Sequence, residues 1–572
     1  MALDPTTRRN LDQWLHGDYD AETKAAVRRL VDAGDETAVT NAFYRDLEFG
    51  TGGLRGVMGV GPNRVNRYTL GAATQGFANY LLGAAAEAGR GAPAVVVAHD
   101  CRNNSDRFGR LVADVFSANG IRVYFFEGMR PTPELSFAVR RLGAQGGVML
   151  TASHNPREYN GYKAYGEDGG QLVAPADQAV MEHVRAVDDV AKIKFDRRGD
   201  LVEAIGPELD EGFLAALAAL SMNPGAIAAE ADMPIVFSPI HGTGMVSVPP
   251  VLARYGFRNV VTVPEQMVPD GDFPTVVYPN PEEREALTLA LEKAREVGAD
   301  LVMATDPDAD RVGIAVRDGG GELTLLNGNQ TACLLVDYVL GAHRRAGDLR
   351  PGDYVVKTVV TSYLIDAIAE HYGVECINTL TGFKYIGEVM TARQGKGRFL
   401  VGGEESYGYL VGEHARDKDA VVACAMIAEM AAYHKSRGSS LWDALEALYA
   451  KYGYFLEKLI AVKKEGKSGA EEIQAMMRRF RENPPQTLGG SDVVTVKDYK
   501  TSESTDKTTG EKTAIDLPSS NVLQFFTADG TIVSARPSGT EPKIKFYCSV
   551  RGGDDLDALS EKVDAVLKDL GV

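Results

Sequence analysis

The sequence predicts an α/β protein in which three related α/β domains are followed by a smaller C-terminal α+β domain. Two features carry this prediction: a strand–helix–strand pattern that occurs three times, and a final segment in which short strands predominate. The length of 572 residues is consistent with several domains, because one hydrophobic core rarely serves more than about 250–300 residues. We place the domains at residues 1–205, 206–325, 326–450 and 451–572.

Three stretches share the repeated pattern: residues 92–128, 233–266 and 352–382. Each stretch consists of a β-branched run, a polar loop, an amphipathic helix and a second apolar run. The predicted helices end at glycines, which readily adopt the left-handed conformation of a helix C-cap, namely Gly120, Gly256 and Gly373. The whole pattern is typical of a βαβ unit, so we expect three domains of related build.

The C-terminal segment has a different pattern. Residues 521–550 predict a β-hairpin, with Asp-Gly at its turn, followed by a further strand of alternating polarity. We expect a closing helix over residues 554–570 and, before this domain, a helix over 440–453 with Ser440 as its N-cap. The stretch SESTDKTTGEKT at 502–513 is polar enough to predict an exposed loop.

Charge and apolar content restrict the classes of partner. The formal net charge of −18 argues against general binding to nucleic acid or to anionic membranes, since both require a basic surface. No stretch of the sequence approaches the roughly 18 apolar residues of a membrane span. The longest apolar patch begins at Ala420, is interrupted by Glu429 and predicts a buried helix.

The amino-terminal sequence and the cysteines predict a cytoplasmic protein. MALDPTTRRNLDQWLHGDYD lacks the basic segment and apolar core of a secretory signal. The five cysteines form no CxxC motif, and an odd number cannot all be joined in disulfides. A reducing compartment is the simplest interpretation of this cysteine usage.

The motif TDPDADR at 305–311 is the clearest chemical signal and directly follows the strand-like segment ADLVMA. Alternate side chains of an extended loop face the same way, so Asp306, Asp308 and Asp310 can converge on one cation. Three carboxylates suit Mg²⁺ and leave positions open for phosphate oxygen or water. A calcium loop of the EF-hand type is excluded, because its required glycine and glutamate positions hold arginines here. The other alternative is a solvated acidic turn, and the context favours the metal site.

The motif TASHNP at 151–156 follows the buried-strand segment GGVML. Ser153 is therefore expected at the carboxyl end of a strand, where open α/β sheets place ligands. The motif lacks the GxSxG elbow of serine hydrolases. Beside a magnesium site, Ser153 is better explained as a carrier of a phosphoryl group, because the cation offsets charge on that group. Taken alone, the motif equally fits an Asn-Pro turn stabilised by Ser153 and Asn155.

The motif GGEESYGY at 402–409 presents the polar side chains of Glu404 and Ser406 on a glycine-containing loop. A carboxylate can accept hydrogen bonds from two adjacent sugar hydroxyls, which is a reason to find glutamate in a carbohydrate site. Glycine with acidic residues is also common in ordinary loops, so this motif is weak when taken alone.

The motif RPSGTEPK at 536–543 has the composition of a phosphate-binding turn. Arg536 supplies a planar guanidinium group that matches phosphate, and the glycine lets backbone N–H groups approach an anion. The two lysines that follow alternate along a strand and can face the same side. The alternative is a surface turn, which the three basic residues disfavour. The other candidate phosphate-binding residues are Ser538, Gly539, Thr540, Lys543 and Lys545.

Taken in this order, the four motifs resemble those of the α-D-phosphohexomutase superfamily, which includes phosphoglucomutases, phosphomannomutases and phosphopentomutases. The resemblance extends over nearly the whole chain, from GTGGLRG at 50–56 to RPSGTEPK. It implies mixed sheets and four domains around a central cleft, with one loop contributed by each domain. In chain order these are a phosphoserine loop, a metal-binding loop, a sugar-binding loop and a phosphate-binding loop.

The resemblance also implies a role for each candidate residue. Ser153 is expected to carry the phosphoryl group and, together with Asp306, Asp308 and Asp310, to bind Mg²⁺. The residues expected around the reacting phosphoryl group are Arg55, His154, Lys163 and Arg311. Glu404 and Ser406 are expected at the sugar. The residues expected at the non-reacting phosphate are Arg536, Ser538, Gly539, Thr540, Lys543 and Lys545.

Two further loops resemble substrate-binding parts of the superfamily. TLTGFKYIG at 379–387 looks like its substrate-discriminating loop, which implies Thr381 and Gly382 at the substrate and Lys384 at a phosphate. HARDKD at 414–419 resembles a stretch of the phosphoglucomutase branch that brings a lysine, here Lys418, to the cleft.

The implied activity is that of a phosphosugar mutase, an isomerase that moves a phosphoryl group through a phosphoserine and a bound sugar bisphosphate. GEESYGY departs from the GEMSGH-like pattern of dual-specificity bacterial enzymes, which favours the phosphoglucomutase and phosphopentomutase side. We expect glucose phosphates as substrates, with mannose or pentose phosphates as alternatives. We also expect Mg²⁺, a sugar 1,6-bisphosphate activator, and a monomer or weak dimer. The competing functions are a sugar phosphatase and a non-catalytic sugar-phosphate-binding protein.

Overall fold

The computed structural model describes residues 3–50, 53–464, 466–538, 543–552 and 556–572. Within these residues the strands form four sheets that follow one another along the chain. The first three sheets mix parallel and antiparallel pairs, and the fourth is antiparallel. These features confirm the predicted fold class. Among the described residues, no helix is both long enough and apolar enough to span a membrane.

The N-terminal part of the chain contains α1 (Pro5–His16), α2 (Ala21–Asp32), α3 (Glu36–Phe43), β1 (Gly53–Val57), α4 (Arg67–Glu87), β2 (Ala94–His99), α5 (Ser105–Ala118), β3 (Arg122–Phe126), α6 (Thr132–Leu142), β4 (Gly146–Leu150), β5 (Tyr159–Gly166), α7 (Ala176–Arg185) and β6 (Val202–Ile205). Its sheet has the order β1-β5-β4-β2-β3-β6. The helices α1 to α3 were not predicted, and they pack against Tyr68 of α4 through Trp14 and Phe43.

The second part contains α8 (Pro207–Ala218), α9 (Pro224–Ala229), β7 (Ile235–Ser238), α10 (Gly244–Tyr255), β8 (Val260–Thr262), α11 (Thr288–Val297), β9 (Leu301–Thr305), β10 (Val312–Arg317) and β11 (Leu323–Leu326). Its sheet has the order β11-β10-β9-β7-β8. β9 is fully buried and ends at the first residue of the TDPDADR motif. The aspartates therefore leave the sheet at the carboxyl end of a central strand, where ligands commonly bind.

The third part contains α12 (Gly328–Ala346), β12 (Asp353–Thr358), α13 (Leu364–Tyr372), β13 (Glu375–Thr379), α14 (Phe383–Ala392), β14 (Arg398–Gly403), β15 (Tyr409–Val411), α15 (Ala420–Lys435) and α16 (Leu441–Tyr452). Its sheet has the order β13-β12-β14-β15. The predicted buried helix is confirmed as α15, whose Glu429 accepts hydrogen bonds from the Tyr338 hydroxyl (2.8 Å) and the Met222 backbone N–H (2.9 Å). The predicted N-cap is also confirmed, because the Ser440 side chain accepts from the Asp443 N–H.

The fourth part contains β16 (Tyr454–Lys463), α17 (Gly466–Glu482), β17 (Thr487–Leu488), β18 (Ser491–Asp498), β19 (Glu503–Asp506), β20 (Lys512–Ala514), β21 (Leu523–Thr527), β22 (Ile532–Pro537), β23 (Lys543–Gly552) and α18 (Leu556–Leu570). Its strand order is β16-β23-β22-β21-β18-β19-β20, with β17 on β18. The prediction of a loop at 502–513 is wrong, because β19 and β20 form an antiparallel hairpin there. These edge strands are polar on both faces, so they lack the alternation that signals a half-buried strand.

The three predicted βαβ units are confirmed. β2 pairs in parallel with β3, β7 with β8, and β12 with β13, each across the expected helix. The glycines at the helix ends have left-handed φ angles of 82°, 110° and 70° at Gly120, Gly256 and Gly373. The domain limits stay predictions, although β11 runs to Leu326 and α16 to Tyr452, so the limits at 325 and 450 fall inside these elements.

Candidate active site

A large cavity, with a volume of about 1080 Å³, is lined by residues that follow strands of all four sheets. Motifs far apart in the chain meet at its wall. The predicted site residues among its lining are Arg55, Ser153, His154, Lys163, Asp310, Arg311, Thr381, Gly382, Lys384, Glu404, Ser406, Lys418, Arg536 and Lys545. Asp306 and Asp308 are fully buried beside it, whereas Ser538 and Lys543 do not contribute to its wall.

Ser153 lies in the loop between β4 and β5, with its hydroxyl directed at the aspartate motif of the second sheet. Its Oγ donates a hydrogen bond to Asp306 Oδ2 at 2.9 Å and lies 3.2 Å from His154 Nδ1. The side chain is 2% exposed, and the backbone φ of 52° is in the left-handed region. The hydrogen bond to Asp306, which lies far away in the chain, goes beyond the local hydrogen bonds of an Asn-Pro turn.

The imidazole of His154 is held in its neutral form. Its pKa lies well below the ordinary value because the ring is shielded from water and because the cationic Arg311 and Arg55 are nearby. Arg55, on β1, also places its Nη1 3.4 Å from Asn155 Oδ1 in the serine loop. The antiparallel pairing of β1 with β5 sets this position, since Arg55 lies opposite Gly161 in the register.

Asp306, Asp308 and Asp310 converge as the alternation of the motif predicts. One carboxylate oxygen from each lies within 4.8 Å of the others, and all three side chains are buried. Within the described part of the chain, Asp308 Oδ1 and Asp310 Oδ1 are buried without a hydrogen-bond partner. A divalent cation would satisfy these two oxygens, and an all-oxygen ligand set suits Mg²⁺. The residues present therefore fit a magnesium site.

Two ammonium groups partly balance the charge of the aspartates. Lys163 Nζ lies 2.6 Å from Asp308 Oδ2 and 2.7 Å from Asp310 Oδ2, and Lys418 Nζ lies 3.2 Å from Asp310 Oδ2. Although burial opposes ionisation, Lys163 and Lys418 hold the pKa of Asp310 below its ordinary range. Burial and the neighbouring carboxylates raise the pKa of Asp306 well above its ordinary value. Negative charge at Asp306 is therefore less well compensated than negative charge at Asp310.

The aspartate loop is supported by contacts that the sequence motifs did not reveal. Thr132, at the start of α6, donates its hydroxyl to Asp308 Oδ2 at 2.7 Å and its N–H to the Asp308 carbonyl at 2.9 Å. A Cβ atom at Gly242 would lie 2.4 Å from the Cα of Pro307. The second-sheet segment HGTG therefore packs directly against the metal loop, and it carries a usable sequence signal because it follows the strand β7.

Arg311 connects the aspartate loop at 305–311 to the loop at 402–409. Its Nη1 donates to Glu282 Oε1 at 2.9 Å and to the backbone carbonyl of Ser406 at 3.0 Å. Burial opposes its charge, but Glu282 and Asp310 raise its pKa above the ordinary value. Arg311 therefore stays cationic at the wall of the cavity and fixes the backbone at Ser406. Glu282 was not predicted, because it stands in no recognisable motif.

Glu404 lies against the loop that resembles the substrate-discriminating loop of the superfamily. Its Oε1 accepts a hydrogen bond from the backbone N–H of Gly382 at 2.9 Å. Burial raises the pKa of Glu404 to about 7, with a smaller contribution from Glu405, while Lys418 acts in the opposite direction. The carboxylate is thus an acceptor whose ionisation is sensitive to pH near neutrality. Glu404 also lines the cavity, and a carboxylate can accept hydrogen bonds through both of its oxygens.

Lys418 is positioned by a network that joins the first and third sheets. Asp417 Oδ1 lies 3.2 Å from Lys418 Nζ, and Asp417 Oδ2 accepts from the Tyr165 hydroxyl (2.8 Å) and from Gln171 Nε2 (2.7 Å). Asp417 is fully buried. Asp417, Tyr165 and Gln171 were missed in the sequence, because their association depends on the packing of two domains. Lys384 also crosses between domains, with its Nζ 3.8 Å from Asp177 Oδ2 of α7.

The predicted phosphate turn is described only in part. Arg536 on β22 lies opposite Lys545 on β23 in the antiparallel register. Burial, together with the charges of Lys543 and Arg536, lowers the pKa of Lys545. Such clustering of like charge favours the binding of an anion. The Ser538 N–H donates to the Lys543 carbonyl at 2.8 Å, and the predicted residues Gly539 and Thr540 lie outside the described residues.

Comparison with known families covers most of the chain. Sequence models of the phosphoglucomutase/phosphomannomutase α/β/α domains I, II and III match residues 46–191, 211–320 and 327–452. The model of the phosphoglucomutase/phosphomannomutase C-terminal domain matches residues 459–566. The chain belongs to the phosphoglucomutase/phosphomannomutase family. The predicted resemblance is thereby confirmed.

Relatives in the phosphoglucomutase/phosphomannomutase family extend over nearly the full chain. A phosphoglucomutase of Staphylococcus haemolyticus is 34% identical over 552 residues, which cover 96% of this chain and 98% of the relative. A phosphoglucomutase of Staphylococcus aureus is 35% identical over 544 residues, covering 95% and 96% respectively. As a member of this family the protein is a phosphohexomutase, an isomerase. The family uses Mg²⁺, which the buried aspartates fit.

Solved structures of the phosphoglucomutase/phosphomannomutase family share the fold. The open form of the Paramecium phosphoglucomutase parafusin superposes with a TM-score of 0.67 at 18% identity, over 92% of this chain and 95% of that protein. A family member from Burkholderia thailandensis gives a TM-score of 0.65 at 18% identity, over 91% and 97%. The arrangement of four domains is therefore common to proteins whose sequences have diverged widely.

Proposed function

We propose that this protein interconverts glucose 1-phosphate and glucose 6-phosphate through a phosphorylated Ser153 and a bound glucose 1,6-bisphosphate. The observation that carries the proposal is the position of Ser153 Oγ, 2.9 Å from Asp306 Oδ2, in the same cavity as Arg536 and Lys545. A phosphoryl donor and a second anion site thus face one shared space. The proposal also includes the bisphosphate as activator, a monomer or weak dimer, and a cytoplasmic location.

In the first half of the reaction, the bond between phosphorus and Ser153 Oγ breaks while a bond forms to the free hydroxyl of the sugar monophosphate. The proton of that hydroxyl passes to the enzyme, and Ser153 is left as a hydroxyl. Mg²⁺, bound by the three aspartates, would offset charge on the transferring group. Arg55, Lys163 and Arg311 place cationic groups around the same position, where they can stabilise the transition state.

In the second half, the bisphosphate turns over and its other phosphoryl group is transferred to Ser153. The bond between phosphorus and the sugar oxygen breaks while a bond forms to Ser153 Oγ, and the proton of the serine hydroxyl passes through the enzyme to the sugar oxygen. Each phosphate group must then fit both the Ser153 end and the Arg536 end of the cavity. Arg536 and Lys545, which line the cavity, support binding of the non-reacting phosphate, and Glu404 and Ser406 line the same cavity and would hydrogen-bond the sugar. The cationic groups at both ends explain how a net acidic protein accommodates a strongly anionic intermediate.

A coupled assay with the 1-phosphates of glucose, mannose and ribose tests the substrate. We expect the highest kcat/KM with glucose 1-phosphate and a marked stimulation by glucose 1,6-bisphosphate. A higher kcat/KM with either of the other sugars would replace glucose in the proposal. Steady release of inorganic phosphate without isomerised product would instead identify a phosphatase.

Replacement of Ser153 by alanine tests the phosphoryl carrier. We expect turnover to fall by about 10³-fold or more, because the covalent route is lost. The purified wild-type protein is expected to carry phosphate on Ser153, which mass spectrometry of the tryptic peptide measures. Full turnover by Ser153→Ala would contradict the proposed mechanism.

A further inference from the structure

The backbone at Ser153 adopts a conformation that its side chain disfavours. Its φ of 52° lies in the left-handed region, which residues with a Cβ atom rarely occupy. Such a conformation persists only where the surrounding structure fixes it, and it commonly occurs at functional sites. The contacts that hold the segment 153–159 therefore help to determine where the Ser153 hydroxyl lies.

Arg102 makes those contacts from the neighbouring loop. Its Nη1 donates to the backbone carbonyls of Pro156 at 2.9 Å and Tyr159 at 3.1 Å. Its Nη2 donates to the carbonyls of Ser153 and Asn155. One guanidinium group thus joins four carbonyls of the serine loop, including that of Ser153 itself. A lysine could not reproduce this planar, forked arrangement.

Arg102 is itself rigidly held. Its Nε lies 3.3 Å from Asp100 Oδ2, and both side chains are fully buried. Asp100 Oδ1 accepts hydrogen bonds from the Arg102 N–H at 2.9 Å and from the Ser105 hydroxyl at 2.7 Å. The ring of Phe273, from the second domain, covers the guanidinium with its centroid 5.1 Å away. We call Arg102 and its contacts with the four carbonyls the clamp. It is held by residues of two domains, and the Ser153–Asp306 hydrogen bond also joins two domains.

We propose that Arg102 is a positioning residue that fixes the Ser153 hydroxyl against the metal-binding aspartates. The inference rests on the proposed role of Ser153 as phosphoryl carrier. Arg102 is absent from the cavity wall, so it acts on the reaction through the backbone of the serine loop. Because the sugar and the distal phosphate meet other loops, loss of the clamp affects the transfer step and leaves substrate binding largely intact.

The test compares Arg102→Lys with Arg110→Lys, a control at a solvent-exposed arginine of α5 that pairs with Asp106. We expect kcat of Arg102→Lys to fall by about 10²-fold, since displacement of a reacting group by about 1 Å has costs of this order. KM for the best 1-phosphate substrate is expected to change less than about threefold, and Arg110→Lys is expected to behave as the wild type. A kcat of Arg102→Lys within threefold of the wild type, or a parallel loss of kcat and substrate affinity, would overturn the proposal.

Ser105→Ala keeps the proposal testable if Arg102→Lys does not fold. This milder change removes the hydrogen bond from Ser105 to Asp100 and the one that Ser105 accepts from Asn160 Nδ2 at 3.0 Å, and it is expected to lower kcat several-fold, again without a change in KM. An unchanged kcat would count against the clamp. Wild-type protein that turns over none of the 1-phosphates would refute the proposed function, whereas an active wild type with insensitive variants would refute only the role of Arg102.

Discussion

Charged side chains at the centre of the cleft differ in how well their surroundings compensate them. Asp310 contacts both Lys163 and Lys418, whereas Asp306 accepts hydrogen bonds from Ser153 and from the backbone N–H groups of Asp310 and Arg311. Although burial opposes ionisation, the two lysines keep the pKa of Asp310 low, whereas burial and the neighbouring carboxylates of Asp308 and Asp310 raise the pKa of Asp306. A buried carboxyl with a raised pKa destabilises the fold when it is ionised, because it binds a proton more readily in the folded state than in the unfolded state.

Asparagine substitutions separate these two aspartates. In the metal-free protein at pH 7.5, Asp306→Asn is expected to raise the midpoint of thermal unfolding, since it removes poorly compensated charge and keeps the amide oxygen as an acceptor. Asp310→Asn is expected to destabilise the protein by about 3 kcal/mol, because two buried ammonium groups lose a partner. Thermal melts in EDTA measure both effects. Shifts of the same sign would contradict this electrostatic assignment.

The ionisation of Glu404 predicts a pH dependence of substrate binding. Its pKa is raised to about 7, so the carboxylate is progressively protonated as the pH falls below 7 and becomes a poorer acceptor for sugar hydroxyls. We expect the KM of the wild type to rise as the pH falls from 8 to 6. Glu404→Gln is expected to have a high KM that lacks this dependence on pH. An identical pH profile of KM in both proteins would show that another group is responsible.

At the scale of elements, the loops of the site are fixed by close packing against neighbouring strands and turns. The metal loop lies against the HGTG turn so closely that Gly242 and Pro307 leave no space for a side chain. Thr132 at the start of α6 binds the same loop from the first domain. One turn and one helix terminus, neither of which contributes a carboxylate, thus fix the geometry of the aspartates.

Gly242→Ala tests this packing. The added Cβ would lie 2.4 Å from the Cα of Pro307, so the metal loop must move. We expect kcat to fall by about 10- to 100-fold and the Mg²⁺ concentration for half-maximal activity to rise. Gly225→Ala is the matched control, because a Cβ there meets no atom within 4 Å. Equal Mg²⁺ requirements in both variants would contradict the proposed coupling.

At the scale of the whole molecule, the fourth domain contacts the third beside the cavity. Gln524 Nε2 donates to the backbone carbonyl of Val359 at 2.8 Å. A hydrophobic cluster covers this contact and consists of Val359, Val360, Leu380, Tyr499, Val522 and Tyr547. Since Arg536 and Lys545 belong to the fourth domain, this interface determines where these two cationic side chains lie relative to Ser153.

Loss of the interdomain hydrogen bond is expected to weaken retention of the intermediate. Gln524→Ala removes the hydrogen-bond donor to the Val359 carbonyl. Because the cleft then closes less firmly, KM is expected to rise about three- to tenfold. The bisphosphate concentration required for full activity is expected to increase as well. Steady-state assays across a bisphosphate titration measure this. Gln486→Ala, at an exposed glutamine of the same domain, is the control and is expected to match the wild type. No difference between the variants would show that this contact does not govern closure.

Local sequence signals and contacts between distant residues determine different parts of the fold and of the candidate site. The sequence predicted the three βαβ units because β-branched runs and glycine C-caps are local signals, and it predicted convergence of the aspartates because alternation along an extended loop is also local. The edge hairpin of β19 and β20 was missed because its polar strands carry no alternation. Glu282, Thr132, Asp417 and Arg102 were missed because their partners lie far away in the chain.

The sequence by itself determined the fold class, the family resemblance and the chemical types present at the site, since these depend on residue identity and short spacing. Tertiary structure alone decided that Ser153 faces Asp306, that Lys163 and Lys418 share Asp310, and that Arg102 binds the serine loop. The first two are contacts between domains and are set by the packing of four sheets around one cavity, whereas the third joins segments of the first domain that lie far apart in the chain. Spacing along the chain does not specify that packing.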